Sequence, residues 1–173
     1  IFYSKLDKHH RPRTIYRHKI GTPVKEDLLV FEEKSEAFTV GIGLTSDEKY
    51  FMISSSDHNT SEQYFFKVDE NIPNPQLIQK RQRGIIYSVN SWGNYFYKHT
   101  NENAEDFKID RCNNLVEKKW EPFIKAKDEV LIGGLVFLNN WIIRSETSNA
   151  LGKIILRDPK SNNCLLYTSD AAD

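Results

Sequence analysis

The chain has 173 residues, with 24 Lys and Arg against 24 Asp and Glu. That balance gives neither a polyanion nor an acidic lipid surface an electrostatic hold, so no nucleic-acid and no membrane partner is expected. Hydrophobic residues make up 39%, enough for one ordinary core, and 10 Phe, 8 Tyr and 3 Trp lean the chain toward strands and away from helix bundles. The longest apolar run, Leu131 to Leu138, is far short of the roughly 20 residues that span a bilayer as a helix. No charged-then-apolar leader opens the chain, which argues against secretion.

Almost every segment alternates or runs apolar over a few residues and then stops at Gly, Pro, Asn or Asp, which is the pattern of strands. In chain order the expected strands are Ile1 to Ser4, Thr14 to Ile20, Leu28 to Glu32, Phe38 to Gly43, Tyr50 to Ser54, Glu62 to Val68 and Gln76 to Lys80. They continue with Ile85 to Val89, Tyr95 to His99, Asp106 to Asp110, Pro122 to Ile124, Leu131 to Phe137, Trp141 to Ser145 and Lys153 to Arg157. Helical periodicity is nearly absent. Turn chemistry falls at Ser46-Asp47-Glu48-Lys49, Ser91-Trp92-Gly93-Asn94 and Leu138-Asn139-Asn140.

Ile1 already stands inside the apolar run IFYSKL, so a start within a longer chain is expected. Cys164 to Asp173, CLLYTSDAAD, matches the translation of a transposon-end sequencing adapter. The native fold is therefore expected to occupy residues 1–163, with residues 164–173 packing on nothing. Setting that tail aside leaves Cys112 as the single cysteine, which makes no intrachain disulfide and fits a reducing, cytoplasmic setting.

The three turns recur at equal spacing. The apolar residue just after each marks the register: Phe51 to Phe96 is 45 residues and Phe96 to Ile142 is 46, with Phe2 to Phe51, at 49, extending the series backward. A period near 45 in a strand-only sequence is that of a four-stranded propeller blade. The expected fold is therefore all-β, a partial β-propeller of about three and a half four-stranded blades, because a closed ring needs roughly four to eight. Blade boundaries are expected near Glu33 to Phe38, Lys80 to Ile85 and Ala126 to Leu131.

The segments DKHHRPRTIYRHKIGTPVKEDLLVFEE (Asp7 to Glu33), ISSSDHNTSEQYFF (Ile53 to Phe66) and RQRGIIYSVNSWGNYFYKHTNENAEDFKI (Arg81 to Ile109) resemble the propeller of the oligopeptidase B branch of the prolyl oligopeptidase family. After Glu117 only the strand pattern continues the likeness. The resemblance implies a seven-bladed ring capping an α/β-hydrolase domain of the same protein. That cap admits short basic peptides, cleaved after Arg or Lys by a serine nucleophile, and keeps folded proteins out. Such a nucleophile needs a G-x-S-x-G elbow. None is present: Gly41-Ile42-Gly43 runs on into Leu44-Thr45-Ser46. The resemblance places the catalytic triad in the other domain, so no residue of this chain inherits a catalytic role, and no cofactor is implied.

The remaining constellations read as structure. His9, His10 and His18 are close in sequence, but Lys8, Arg11, Arg13, Arg17 and Lys19 surround them and oppose a zinc ion. That basic hairpin, with Arg11 and Arg13 at its tip and Pro12 fixing the turn, is expected to meet the acidic side of the hydrolase domain. Asp57-His58 among Ser54, Ser55, Ser56 and Ser61 imitates a triad, yet neighbours in one turn bond their own backbone. Glu102, Glu105 and Asp106 lack the spacing and glycine of a calcium loop. Cys112 is expected to be a small buried hydrophobe, and Trp92, Trp120 and Trp141 to pack between blades. The expectation is a gating and docking propeller of a serine oligopeptidase. A non-enzymatic propeller that binds a protein partner is the alternative, since the fold alone says nothing of chemistry.

Overall fold

Alternating segments closed by turn residues fold into fifteen strands among residues 1–161 and 163–168, which this computed structural model describes. The first sheet holds β1 (Phe2–Leu6), β2 (Pro12–Arg17) and β3 (Leu28–Glu32), and the second β4 (Thr39–Leu44), β5 (Tyr50–Ser56), β6 (Ser61–Lys67) and β7 (Gln76–Gln79). The third holds β8 (Tyr87–Trp92), β9 (Tyr95–Thr100), β10 (Lys108–Cys112) and β11 (Glu121–Ile124). In the fourth are β12 (Leu131–Leu138), β13 (Trp141–Ser148), β14 (Leu151–Arg157) and β15 (Cys164–Thr168). Strands lie in chain order within each sheet, every neighbouring pair antiparallel. The 3₁₀ turn Val24–Glu26 is the only helix among the described residues. The three expected boundaries coincide with the linkers β3–β4, β7–β8 and β11–β12. The architecture is all-β, an arc of propeller blades.

Period-2 alternation gives each sheet two faces, and the second and third sheets meet a neighbour on both. On β5 and β6, Met52 and Phe65 enter the core shared with the third sheet, while Ile53 and Phe66, one residue on, enter the core shared with the first. On β9, Phe96 turns toward the second sheet and Tyr97 toward the fourth. Each fully buried aliphatic or aromatic side chain of these cores contributes about 1.5–3 kcal/mol by leaving water.

The seams differ in chemistry. Between the second and third sheets, β8 offers an open edge, and side chains of β6 close it: the Tyr87 amide donates to the Ser61 hydroxyl at 2.7 Å and the Val89 amide to the Gln63 side-chain carbonyl at 2.6 Å. The Tyr87 hydroxyl donates in turn to the Gln79 carbonyl at 2.6 Å. At the other end of that seam the Ser46 amide donates to Asn90 Oδ1 at 2.8 Å and the Ser91 hydroxyl to Asp47 Oδ2 at 2.8 Å. Rings dominate the seam between the third and fourth sheets: Tyr97 lies 5.1 Å from Phe123 and 4.9 Å from Phe137, which stacks on Trp92 at 5.9 Å. His99 Nε2 meets the Ile132 carbonyl there at 2.7 Å.

Several strand bounds differ from expectation, among them β2, which spans Pro12–Arg17 and stops short of the expected Ile20. β8 starts at Tyr87, two residues late, because Ile85 belongs to the linker turn, its amide bonded to Gln82 O and its carbonyl to the Ser61 amide. β10 starts at Lys108 because Phe107 has φ +67°, a turn conformation. The expectation that Cys164 to Asp173 packs on nothing is corrected for residues 164–168, which pair with β14 from Arg157↔Cys164 to Lys153↔Thr168. β14 presents an unpaired row of backbone groups there, and Tyr and Thr favour strands. The side chains of Cys164, Leu165 and Leu166 stay exposed. Residues 169–173 lie outside the described residues.

Candidate docking face

Antiparallel strands in chain order send alternate connections to opposite ends. One end gathers the tight turns at 45–49, 93–94 and 139–140. The other gathers the β1–β2 turn, the β5–β6 turn and the sheet-to-sheet linkers 33–38 and 80–86. The chemistry-bearing residues concentrate at this second end.

Asp7 shapes the β1–β2 turn: its Oδ1 accepts from the His9 amide at 2.7 Å and the Arg11 amide at 3.1 Å. Those bonds outweigh the cost of desolvation and hold its carboxyl below the usual range. Arg11 and Arg13, expected to dock on another domain, lie side by side and reach over the β3–β4 linker. Arg11 Nη1 donates to the Glu36 carbonyl at 2.5 Å; Arg13 Nη2 donates to the Glu33 carbonyl at 2.7 Å and Nη1 to that of Ser35. Both guanidinium groups thus fasten the first blade to the second while keeping part of their surface in solvent.

Beneath them lies a network that local sequence patterns did not indicate. Arg81 Nη2 donates to Glu33 Oε2 at 2.6 Å and to Glu62 Oε1 at 3.0 Å, and its backbone amide donates to Glu62 Oε2 at 2.8 Å. The two carboxylate side chains are 3% and 6% exposed. Their other lone pairs are used: Ser55 Oγ donates to Glu33 Oε2, the Ser35 amide to Glu33 Oε1 at 2.7 Å and the Tyr64 hydroxyl to Glu62 Oε1 at 2.6 Å. Burial alone would raise both carboxyls, but the hydroxyl, amide and guanidinium donors outweigh it and hold them below the usual range. Burial and the Glu62 partner push the Tyr64 hydroxyl up. The Arg81 guanidinium lies over the Phe38 ring at 4.1 Å, where a cleft of about 510 Å³ opens between these two residues, Arg83 and the 57–60 turn.

The structure does not assemble the other sequence-level constellations. Asp57 Oδ1 accepts from the Asn59 and Thr60 amides at 2.9 and 2.8 Å, so the carboxylate serves its own turn and does not orient His58. Ser55 is fully buried and committed to Glu33. His9 and His10 sit in the β1–β2 turn, whereas His18 follows β2 at the opposite end, its Nδ1 2.7 Å from Asp27 Oδ1. Glu102 Oε2 accepts from Lys98 Nζ at 3.2 Å and its Oε1 from Gln79 at 3.1 Å, away from any grouping with Glu105 and Asp106. Among the described residues no three His, Cys, Asp or Glu side chains come together as metal ligands. Cys112 is buried in the second–third core, and burial pushes its thiol up. Trp92 and Trp120 pack at blade seams as expected.

Comparison with known proteins bears directly on this arrangement. The family model described as the prolyl oligopeptidase N-terminal beta-propeller domain matches residues 1–171. The chain is similar to Protease 2 of Moraxella lacunata, 34% identical over 146 residues that make up 78% of this chain and 21% of that protein. It is also similar to dipeptidyl aminopeptidase BI of Pseudoxanthomonas mexicana, 27% identical over 80% of this chain and 20% of the other. Among solved structures, oligopeptidase B from Trypanosoma brucei in its closed form, with covalently bound antipain, superposes with a TM-score of 0.87 at 22% identity, covering 99% of this chain and 26% of that one. Oligopeptidase B from Leishmania major gives 0.88 at 18% identity, over 98% and 26%. The chain spans about a fifth of the length of the curated relatives it matches. Blades that cover one another in chain order, and a family model that follows them from the first sheet into the last, place this chain in the prolyl oligopeptidase family, within its N-terminal β-propeller domain.

Proposed function

We propose that this chain is part of the propeller of a cytoplasmic serine oligopeptidase that cleaves short peptides after Arg or Lys, and that the propeller covers an α/β-hydrolase domain and limits which peptides reach it. The observation that carries the reading is the likeness to peptidase propellers along the length of the chain, with Protease 2 at 34% identity. The side-chain geometry agrees: Ser55 and Asp57 are committed to structural partners, so a nucleophile, base and orienter are to be sought in another domain. The end of the arc carrying Arg11, Arg13, Arg83 and His58 is the surface that meets that domain.

The test is an assay of the whole protein containing this chain, against short peptide amides ending in Arg or Lys, the same peptides ending in neutral residues, and a folded protein rich in Lys. Cleavage confined to the short basic peptides supports the reading. Turnover after neutral residues, or digestion of the folded protein, overturns it.

A further inference from the structure

The open edge of β12 is fastened to the third sheet at one residue. Among the described residues only Ile132 of that strand takes hydrogen bonds from the third blade: its amide donates to the Asp106 carbonyl at 2.9 Å, and its carbonyl lies 2.7 Å from His99 Nε2. Ile132 is fully buried, and the strand register shifts directly after it. A carbonyl only accepts, so Nε2 carries the proton and the neutral ring keeps its lone pair on Nδ1. The ring also stacks on Phe107, with centroids 4.6 Å apart and planes 13° from parallel.

Nothing around the ring is placed to hold a second proton. Nδ1 has no hydrogen-bond partner among the described residues, and the ring borders a cleft of about 190 Å³ between β8 and β12 that no carboxylate lines. β8 and β12 carry no charged side chain. Lys98, Lys108 and Asp110 lie on the other face of the third sheet, by strand alternation. On the face of His99, Arg111 is bonded to Glu121 at 2.7 Å. β13 turns Arg144 and Glu146 toward the seam, where Glu146 accepts from Arg144 at 2.9 Å and from Lys127 at 2.8 Å, and Arg157 of β14 lies over Phe123 at 4.5 Å. Glu105 and Asp106 precede Phe107 in the linker, and neither side chain bonds the ring. The two acids facing the seam are thus already bonded to cations. Burial pushes the imidazole below its ordinary value of 6.5, against the opposing pull of the Ile132 carbonyl.

We infer that the His99–Ile132 contact is a proton-sensitive fastening of the fourth blade to the third, closed while the ring is neutral and released when Nδ1 takes a proton from solvent and the charged ring moves toward water. His99 is the one histidine of the third and fourth sheets; His9, His10, His18 and His58 lie in or beside the first and second. The seam between the second and third sheets is held by hydroxyls, amides and the Asp47 carboxylate, none of which titrates between pH 5 and 8. Mild acid therefore acts on one seam and spares the other. The inference does not rest on the peptidase reading.

The experiment is hydrogen–deuterium exchange of the 173-residue chain in dilute solution at about pH 7.5 and pH 5.5, each rate divided by that of an unstructured chain at the same pH. Both values lie above the range where Glu33 and Glu62 titrate. Protection of the β12 amides should fall about three- to tenfold at the lower pH, since one proton taken up by an open state with the ordinary histidine pKa of about 6.5 gives no more than about tenfold there. Protection of the β8 amides should stay level. His99→Gln, whose side-chain amide still reaches the Ile132 carbonyl but does not titrate, should hold β12 protection level between the two conditions. Equal β12 protection at both pH values in the unmodified chain would overturn the proposal, and so would an equal fall in the Gln variant. Should that variant not fold, NMR titration of the His99 ring in the unmodified chain decides: a midpoint below about 6.5 supports the fastening, and one at or above it overturns it.

Discussion

Arg81 is shared by two buried carboxylates drawn from different blades, and this sets the sign of two measurements. Removing it by Arg81→Met leaves Glu33 and Glu62 buried without their cation, a change that typically costs about 3–5 kcal/mol. Urea denaturation should show a fall of that order, and Glu33→Gln added to the same chain should recover part of it. The second measurement is pH. Both carboxyls lie below their ordinary value of 4.5 in the folded chain. Groups with lowered folded-state pKa values stabilise the fold above the unfolded-state value and lose that contribution as pH falls through the folded one. The urea midpoint should therefore drop as pH is lowered from about 5, and Glu33→Gln, which keeps the Arg81–Glu62 pair, should flatten the slope. An unchanged slope would remove Glu33 from the account. The 57–60 turn could be read from sequence, because an Asp two and three residues ahead of the amides it caps is a local pattern. The Arg81 network could not, because its members stand 48 and 19 residues apart and meet only when blades stack.

At the scale of elements, the strands were legible because each blade carries apolar residues toward its neighbours, so apolar residues mark every strand and turn residues mark every gap. What escaped was where linkers yield to strands. Ile85 and Phe107 are apolar enough to count as strand, yet one bonds within a linker turn and the other has positive φ. β12 carries a second unreadable feature. Its pairing with β13 shifts between Ile132 and Leu135, and a Cβ built on Gly133 would come within 2.1 Å of the Ser145 hydroxyl and 3.2 Å of its carbonyl. Gly133→Ala should therefore destabilise the fourth sheet by about 1–3 kcal/mol, the usual range for overpacking. Ser145→Gly in the same chain should restore part of the melting temperature. In the core, Phe66→Ala should cost about 3–5 kcal/mol, since its ring, 2% exposed, packs on Phe2 across the first seam and on Phe51 of its own sheet.

For the whole molecule, the arc exposes apolar surface at its last sheet. Val136, Ile154 and Leu165 are 58%, 51% and 47% exposed, and Val136 pairs with Ile143, Ile143 with Leu156 and Leu156 with Leu165 across the sheet. A row of this kind drives association. The isolated chain should self-associate by light scattering at high concentration, and Val136→Lys with Ile154→Lys should shift it toward monomer. A monomer in the unmodified chain would contradict this. On the proposed reading, in which this end of the arc meets a hydrolase domain, the whole protein should lose activity on double Arg11→Ala, Arg13→Ala substitution and become more salt-sensitive, because exposed charge pairs are screened. Kinetics unchanged across a salt series would leave the two arginines as fasteners of the first blade alone.

The contrast between the two inner seams carries over to temperature. Burial of ring surface near room temperature is driven by water entropy and weakens on cooling, whereas directional bonds such as those from Ser61, Gln63 and Asp47 do not fade in the same way. A chilled arc is thus not uniformly loosened: amides of β12 should exchange with deuterium faster relative to those of β8 as the sample approaches freezing. The fourth blade should then loosen before the second and third part, because side-chain bonds to β8 supplement the apolar core of that seam.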